Sequence, residues 1–250
     1  MCLCLLIYKR TPSWPVLVAA NREEAYDRPA DGPAWLADDP LVFAGRDRRA
    51  GGTWLGVNGQ GLLVALTNRR GGFHEPACPS RGLLCLSALR CPSAVAAADW
   101  LQRHLAGACY NPCNLVCADV RDAFAVHYDG ALVRRVPLGA GLHLLADTDV
   151  DEAAHPRLQR ARGLLRGSVG QSWPAVRRTL ERTMGAHVPG LPAASICVHA
   201  PRAGTVSSSI IGLRGTTLEG STYLHAPGPP CTHAYEDLSS RLRTPRPQTS

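Results

Sequence analysis

Lysine is almost absent from this sequence: Lys9 stands alone among 27 basic residues, and all the others are arginine. The arginines are scattered and are not massed among aromatic residues, so a formal charge of +7 implies no nucleic-acid surface. Long apolar runs are missing as well. No window approaches the ~18 apolar residues of a membrane helix, which argues against an integral membrane segment. At the amino end a short apolar run precedes Lys9 and Arg10, the reverse of a secretory leader's charge order, and the expected compartment is cytoplasmic. No His-x-x-x-His or Cys-x-x-Cys spacing suggests zinc, and no phosphate-cradling glycine loop is present. The Cys109, Cys113 and Cys117 series has helical spacing, but Pro112 and the strand-like residues after it break that helix, so the expected metal complement is none.

What is present is enough apolar residue, 45% of 250, for one large core. A single domain is expected over residues 1–230, with the Pro-, Arg- and Ser-rich stretch 231–250 as a disordered tail. Ten cysteines in a chain without a visible leader are expected to be mostly reduced and buried. Residues 2–8 and 15–20 read as a β-hairpin around a Thr-Pro-Ser-Trp-Pro break. Residues 21–40 are polar and read as a long functional loop. Strands are expected at 41–44, 53–57, 62–67, 114–118, 123–128, 132–137, 142–146, 195–199, 206–213 and 221–225. Helices are expected at 81–89, 93–105, 155–165 and 173–184. Runs of strands and runs of helices segregate, which favours antiparallel sheets covered by helices, an α+β arrangement.

Cys2 is the first residue whose position carries chemistry. A small residue after the initiator methionine permits removal of Met1, which would leave a thiol and a free α-amine on one residue. An α-amine titrates near ~8 and a thiol near ~8.5, so the amine can act as the base for its own side chain. The alternative is a buried strand cysteine, like Cys4.

Five further segments follow in order: Ala20-Asn21-Arg22-Glu23-Glu24, Arg28-Pro29, Ala44-Gly45-Arg46-Asp47, Gly51-Gly52-Thr53-Trp54-Leu55-Gly56-Val57, and Gly61 through Leu66-Thr67-Asn68-Arg69. Together with Cys2 they resemble the NRDE family, named for an Asn-Arg-Asp-Glu motif, which includes the transport and Golgi organization 2 homologues. The likeness is densest over residues 1–70 and continues through Tyr110-Asn111-Pro112-Cys113-Asn114, Gly141-Leu142-His143-Leu144-Leu145 and Ser207-Ser208-Ser209-Ile210. It implies a four-layer αββα sandwich of the N-terminal-nucleophile hydrolase type.

Carried over by position, the resemblance implies Cys2 as nucleophile, Arg22 and Glu23 beside it, and Asn68 as an oxyanion donor. Glu23 departs from the motif's aspartate by one methylene, and Glu24 keeps the final acid. Arg46, Asp47, Trp54 and His143 are candidates to line the substrate site. His127, His199 and His225 read as structural histidines.

Two functions follow. One is an amidohydrolase or acyltransferase acting on a small-molecule amide or thioester and requiring no cofactor. The other, implied by the resemblance, is a non-catalytic protein binding haem or a lipid or acyl-CoA, with Cys2 and His143 as axial ligands if the cargo is haem. Oligomeric state is open in both.

Overall fold

β1 (Leu3–Thr11) and β2 (Trp14–Ala25) form the hairpin that the apolar runs predict, in a computed structural model describing residues 2–36, 40–72 and 75–243. Both strands are buried on both faces. Cys4, Leu6 and Tyr8 join one apolar cluster while Leu3, Leu5 and Ile7 join another, because alternate side chains leave a strand in opposite directions. This accounts for continuous apolar runs where a half-exposed strand would alternate with polar residues.

β3 (Ala30–Leu36), β4 (Val42–Asp47), β5 (Leu55–Asn58) and β6 (Leu63–Asn68) follow. Next come α1 (Arg81–Ala88), α2 (Ala94–Leu105), β7 (Cys113–Ala118), β8 (Ala123–Tyr128), β9 (Val133–Pro137) and β10 (Gly141–Leu145). The chain closes with α3 (Pro156–Leu164), α4 (Trp173–Met184), β11 (Ala203–Leu213), β12 (Thr222–Ala226) and β13 (Glu236–Asp237). Among the described residues, one antiparallel sheet has the order β10-β1-β2-β11-β12-β13 and the other β3-β4-β5-β6-β7-β8-β9.

Three cores make four layers. Leu6, Val18, Phe43, Leu63 and Tyr223 fill the space between the sheets. Leu84, Ala88, Ala97 and Leu101 of α1 and α2 cover the outer face of the second sheet. Leu158, Ala161, Val176 and Leu180 of α3 and α4 cover the outer face of the first. The result is the expected αββα sandwich, and no described helix is long and apolar enough to cross a membrane.

Three expectations are corrected. Residues 21–40 are not a loop: β2 continues to Ala25 because β11 pairs with it through Asn21, Arg22, Glu23 and Ala25, and β3 begins at Ala30. Residues 37–39 of that stretch lie outside the described residues. The expected strand at 195–199 is an irregular segment carrying a single bridge, His199 to Gly204. Two of its carbonyls are taken by side chains, Ser195 O by Arg157 and Ile196 O by Asn21 and Arg157, while Val198 O accepts from Thr205 N. The expected tail is ordered from 231 to 243: Leu238 and Leu242 enter the core between the sheets, and Trp35 Nε1 donates to Arg241 O at 2.8 Å. The last seven residues, 244–250, lie outside the described residues.

Cysteine usage is mixed. Cys4, Cys85, Cys113, Cys117 and Cys197 are free and buried, whereas Cys78 and Cys109 form a disulfide.

Candidate functional site

Strand alternation splits the Asn21-Arg22-Glu23-Glu24 motif between two faces of β2. Asn21 and Glu23 turn toward the helices. Asn21 Nδ2 donates to Met184 O and Ile196 O, both at 3.0 Å, tying the sheet to the end of α4 and to the segment before β11. Glu23 is buried against Arg157 of α3, which donates to both its carboxylate oxygens, one contact at 3.0 Å. The same guanidinium reaches Ser195 O at 2.8 Å and Ile196 O at 3.1 Å.

Arg22 and Glu24 face the other way, into a cleft of about 90 Å³. The cleft lies where β1 begins and where β2, β4 and β6 end. Cys2, Arg22, Glu23, Asp47, Trp54 and Asn68 all line it, so six sequence candidates separated by up to 66 positions converge on one spot. Cys2 is partly exposed there. Burial pushes its thiol above the ordinary value, and the Glu23 carboxylate adds to that push. The amino-terminal charge, the Glu23 backbone N–H and the Arg22 guanidinium pull the other way. The Glu23 main chain therefore touches the sulfur while its side chain serves the helix layer.

Arg22 is held rigidly. Its Nη2 donates to Asp47 Oδ2 at 2.9 Å and its guanidinium lies over the Trp54 ring, 4.3 Å from the centroid. Asp47 also accepts from Arg28 Nε at 2.7 Å and, through Oδ1, from the backbone N–H groups of Arg49 and Ala50. Burial works against its ionisation, but Arg28, the Ala50 N–H and Arg22 together hold the carboxyl below the usual carboxylate range. Asp47 lines the cleft and at the same time positions Arg22 and Arg28 and closes the turn before Gly51.

The far wall of the cleft is the start of α1. Ser80, Arg81 and Gly82 line it, with Ser80 capping the helix by accepting from Gly82 N at 3.2 Å. Thr53 N donates to Gly82 O at 3.0 Å, drawing the Gly51-Gly52 turn against the helix. A Cβ on Gly52 would lie 2.2 Å from the Gly82 carbonyl carbon, so only glycine permits this approach. Arg81 donates to Pro112 O at 2.9 Å, and burial holds its guanidinium below its ordinary value.

Two candidates lie elsewhere. Arg46 is exposed on β4, its neighbour Asp47 being the one turned inward. His143 sits on the edge strand β10 opposite Leu6, four residues along β1 from Cys2, an offset of about 13 Å at strand rise. It is engaged by Asp151 Oδ2 and Gly139 O, both at 2.8 Å. Burial opposes its protonation, yet these two acceptors hold its pKa above the ordinary value. Cys2 and His143 therefore cannot be the two axial ligands of one iron. His127 bonds Asn114 and His225 bonds Ser209; burial pushes each down to about 4, in keeping with structural roles.

Sequence reasoning missed Arg81, Ser80 and Arg157. Ser80 carried a readable helix-cap signal, but nothing in the order of residues says that α1 starts over Cys2 or that an arginine of α3 faces inward. It also missed a second cavity, of about 530 Å³, behind Glu23. Its walls include Arg157, Pro192, Ala193 and Val198, together with the buried pair of Asp147 and His155 in contact at 2.7 Å.

Known proteins share this architecture. A conjugated bile acid hydrolase from Clostridium perfringens, solved in a mutant form, superposes with a TM-score of 0.60 at 10% identity, covering 96% of this chain and 93% of that one. Penicillin V acylase from Agrobacterium tumefaciens gives 0.59 at 13% identity, covering 96% and 88%. The Caenorhabditis elegans orthologue of N-acylethanolamine-hydrolyzing acid amidase gives 0.57 at 11%, covering 84% and 92%. This likeness shows that the fold is that of the N-terminal-nucleophile hydrolases. In sequence, the transport and Golgi organization 2 homologue of Mus musculus is 31% identical over 128 residues, 47% of this chain and 46% of the mouse protein. The Homo sapiens homologue is 30% identical over 131 residues, 48% and 47% of the two chains. The matched stretch spans about half the length of these curated relatives. The family model for transport and Golgi organisation 2 matches residues 1–188, and the chain belongs to that family.

Proposed function

We propose that this protein is a cysteine acyl hydrolase or acyltransferase whose nucleophile is the Cys2 thiol, acting on a small-molecule amide or thioester. The observation that carries the reading is the convergence of Cys2, Arg22, Asn68 and the start of α1 in one cleft, with the Glu23 backbone N–H on the sulfur. The mechanism requires removal of Met1, so that the amine of Cys2 takes the thiol proton. The sulfur then attacks the carbonyl carbon, and the negative charge moves to the carbonyl oxygen, which Asn68 stabilises with its side-chain N–H. Collapse of this intermediate breaks the C–N or C–S bond, and the ammonium returns its proton to the leaving group. Water or another acceptor then releases the acyl group and restores the thiol.

Arg22 keeps positive charge near the sulfur and is pre-oriented by Asp47 and Trp54, so little reorganisation is needed as the thiolate forms. Glu23 acts through Arg157 as a positioning residue.

The 530 Å³ cavity behind Glu23 favours a second reading, binding of a lipid, acyl-CoA or haem cargo without turnover. Intact mass separates the two. The first reading expects loss of Met1 and a covalent acyl adduct on Cys2 after incubation with an activated thioester, released by water or a nucleophile. A retained Met1, or a reversible complex with no adduct, overturns it. A haem titration with a Soret shift and no covalent adduct supports the second reading, and no shift at micromolar haem defeats its haem form.

A further inference from the structure

Three segments remote in sequence bring two thiols and two imidazoles together at the end of the molecule near the close of α4. Cys197 and His199 lie in the irregular stretch before β11, Cys231 lies in the turn after β12, and His187 follows the last residue of α4 by three positions. Cys197 Sγ is 3.6 Å from Cys231 Sγ and 3.6 Å from His199 Nε2, and His199 Nε2 is 3.2 Å from Cys231 Sγ. The His187 ring meets the His199 ring edge-on with centroids 5.4 Å apart, and the ligating atoms of His187, His199 and Cys231 all lie within 4.8 Å of one another.

Three of these spacings, those among Cys197, Cys231 and His199, correspond to edges of a tetrahedral metal site. With Zn–S near 2.3 Å and Zn–N near 2.05 Å, a tetrahedral ion separates two sulfurs by about 3.8 Å, a sulfur and a nitrogen by about 3.6 Å, and two nitrogens by about 3.3 Å. The Cys197–Cys231, Cys197–His199 and Cys231–His199 separations fall within about 0.4 Å of those values. The His187 Nδ1 lies 3.3 Å from Gly185 O, so an Nδ1–H donated there leaves Nε2 as the ligand atom, the usual arrangement of a metal-bound imidazole. The backbone around the cluster is anchored. Thr232 N and His233 N both donate to Pro229 O, fixing the turn that carries Cys231, and a Cβ on Gly185 would lie 3.2 Å from Pro230 O.

We propose that Cys197, His199, Cys231 and His187 form a four-ligand structural site for Zn²⁺. Two thiolates and two imidazoles in tetrahedral array select zinc over the harder divalent ions, and four protein ligands leave no open position for catalysis. Binding ionises both thiols and releases their protons to solvent, so apparent affinity rises with pH. The ion would staple the chain after β12 to the end of α4 and to segment 195–199. Each matters beyond the site: the returning chain delivers Leu238 and Leu242 to the core between the sheets, and segment 195–199 supplies the carbonyls that hold Arg157 against Glu23. Motif reading could not find this set, because its only local signature is Cys-x-His.

The test uses the full chain, stripped of metal and kept under a non-thiol reductant so that the Cys197–Cys231 disulfide is not an available competitor. Titration with Co²⁺ should give one thiolate-to-cobalt charge-transfer band saturating at one equivalent, and Zn²⁺ should displace it. Cys2→Ala should keep the band. Cys231→Ser and His199→Ala should weaken binding at least about 100-fold, more than loss of an outer partner of a zinc ligand does. His187→Ala, an exposed change at the end of α4, supplies the same reading if the cysteine variant does not fold. Absence of a band, or binding unchanged by these three substitutions, overturns the proposal.

Discussion

Two regions of this molecule gather cysteine sulfur near the surface, and they surround it differently. At Cys2 the neighbours are a backbone N–H, the guanidinium of Arg22, the carboxamide of Asn68 and the first turn of α1, and among the described residues no imidazole lines the cleft. At Cys197 and Cys231 the neighbours are two imidazoles and a second sulfur, and among the described residues no guanidinium joins the cluster. A lone thiol beside cations and amide donors suits attack on a carbonyl, because the cations stabilise its thiolate and the donors can meet the charge that develops next. Paired thiols beside imidazoles suit a closed metal site. The contrast separates the covalent chemistry proposed for one region from the stapling proposed for the other.

The sharpest way to break that division is Cys2→Ala. Adduct formation and turnover should fall at least ~10³-fold while metal binding at the other region persists, and Cys231→Ser should show the converse in paired mass and cobalt assays. Next in size, Arg157→Ala removes the guanidinium against which Glu23 is buried, with side-chain exposures of 8% and 4%. Denaturant unfolding should show a loss of about 3–5 kcal/mol, larger than any change from His143→Ala at the sheet edge. Asn68→Ala should lower kcat about 10²–10³-fold with stability nearly unchanged, and an equal loss in both would reduce Asn68 to a strand-end residue.

Gly52→Ala should cost about 1–3 kcal/mol by forcing the turn off α1, with weaker acyl transfer because the cleft wall moves. The smallest effect belongs to acid. Asp47 has a folded pKa below its unfolded value, so its contribution is full above the unfolded value of about 4 and is lost as pH falls through the folded one. Asp47→Asn should flatten that part of the acid unfolding curve, and an unchanged curve would show that Arg22 and Arg28 are held by other means.

Much of this architecture could be read from residue order, for reasons that particular elements show. β1, β6 and β7 are buried on both faces, so their apolar runs stand out against the polar turns between them. The turn 58–61 is equally legible: Asn58 Oδ1 accepts from Gln60 N and Leu62 N, a local pattern. Reading failed where polar residues serve a remote partner. Asn21, Arg22, Glu23 and Glu24 look like a loop because four hydrophilic residues in succession have no local reason to be a strand. Their strand partner is β11, nearly 190 positions away in sequence, and Asn21 Nδ2, Arg22 and Glu23 bond to Met184, Ile196, Asp47 and Arg157, all remote in the chain. Segment 195–199 has the composition of a strand, but its Ser195 and Ile196 carbonyls are claimed by the side chains of Arg157 and Asn21. Segment 231–243 has the composition of a tail, yet two leucines anchor it.

The sequence by itself determined the layer pattern, the family and a short set of residues able to do chemistry, because strand and helix periodicities and ordered motifs are properties of near neighbours along the chain. Tertiary structure alone decided which members of that set meet. It turned Arg22 toward Cys2 and Glu23 away from it, since adjacent strand residues must face opposite sides. It placed His143 at an edge and Arg46 in solvent, and it drew Cys197, His199, Cys231 and His187 to one point. Those outcomes depend on sheet register and helix docking across many tens of residues, which no local pattern encodes.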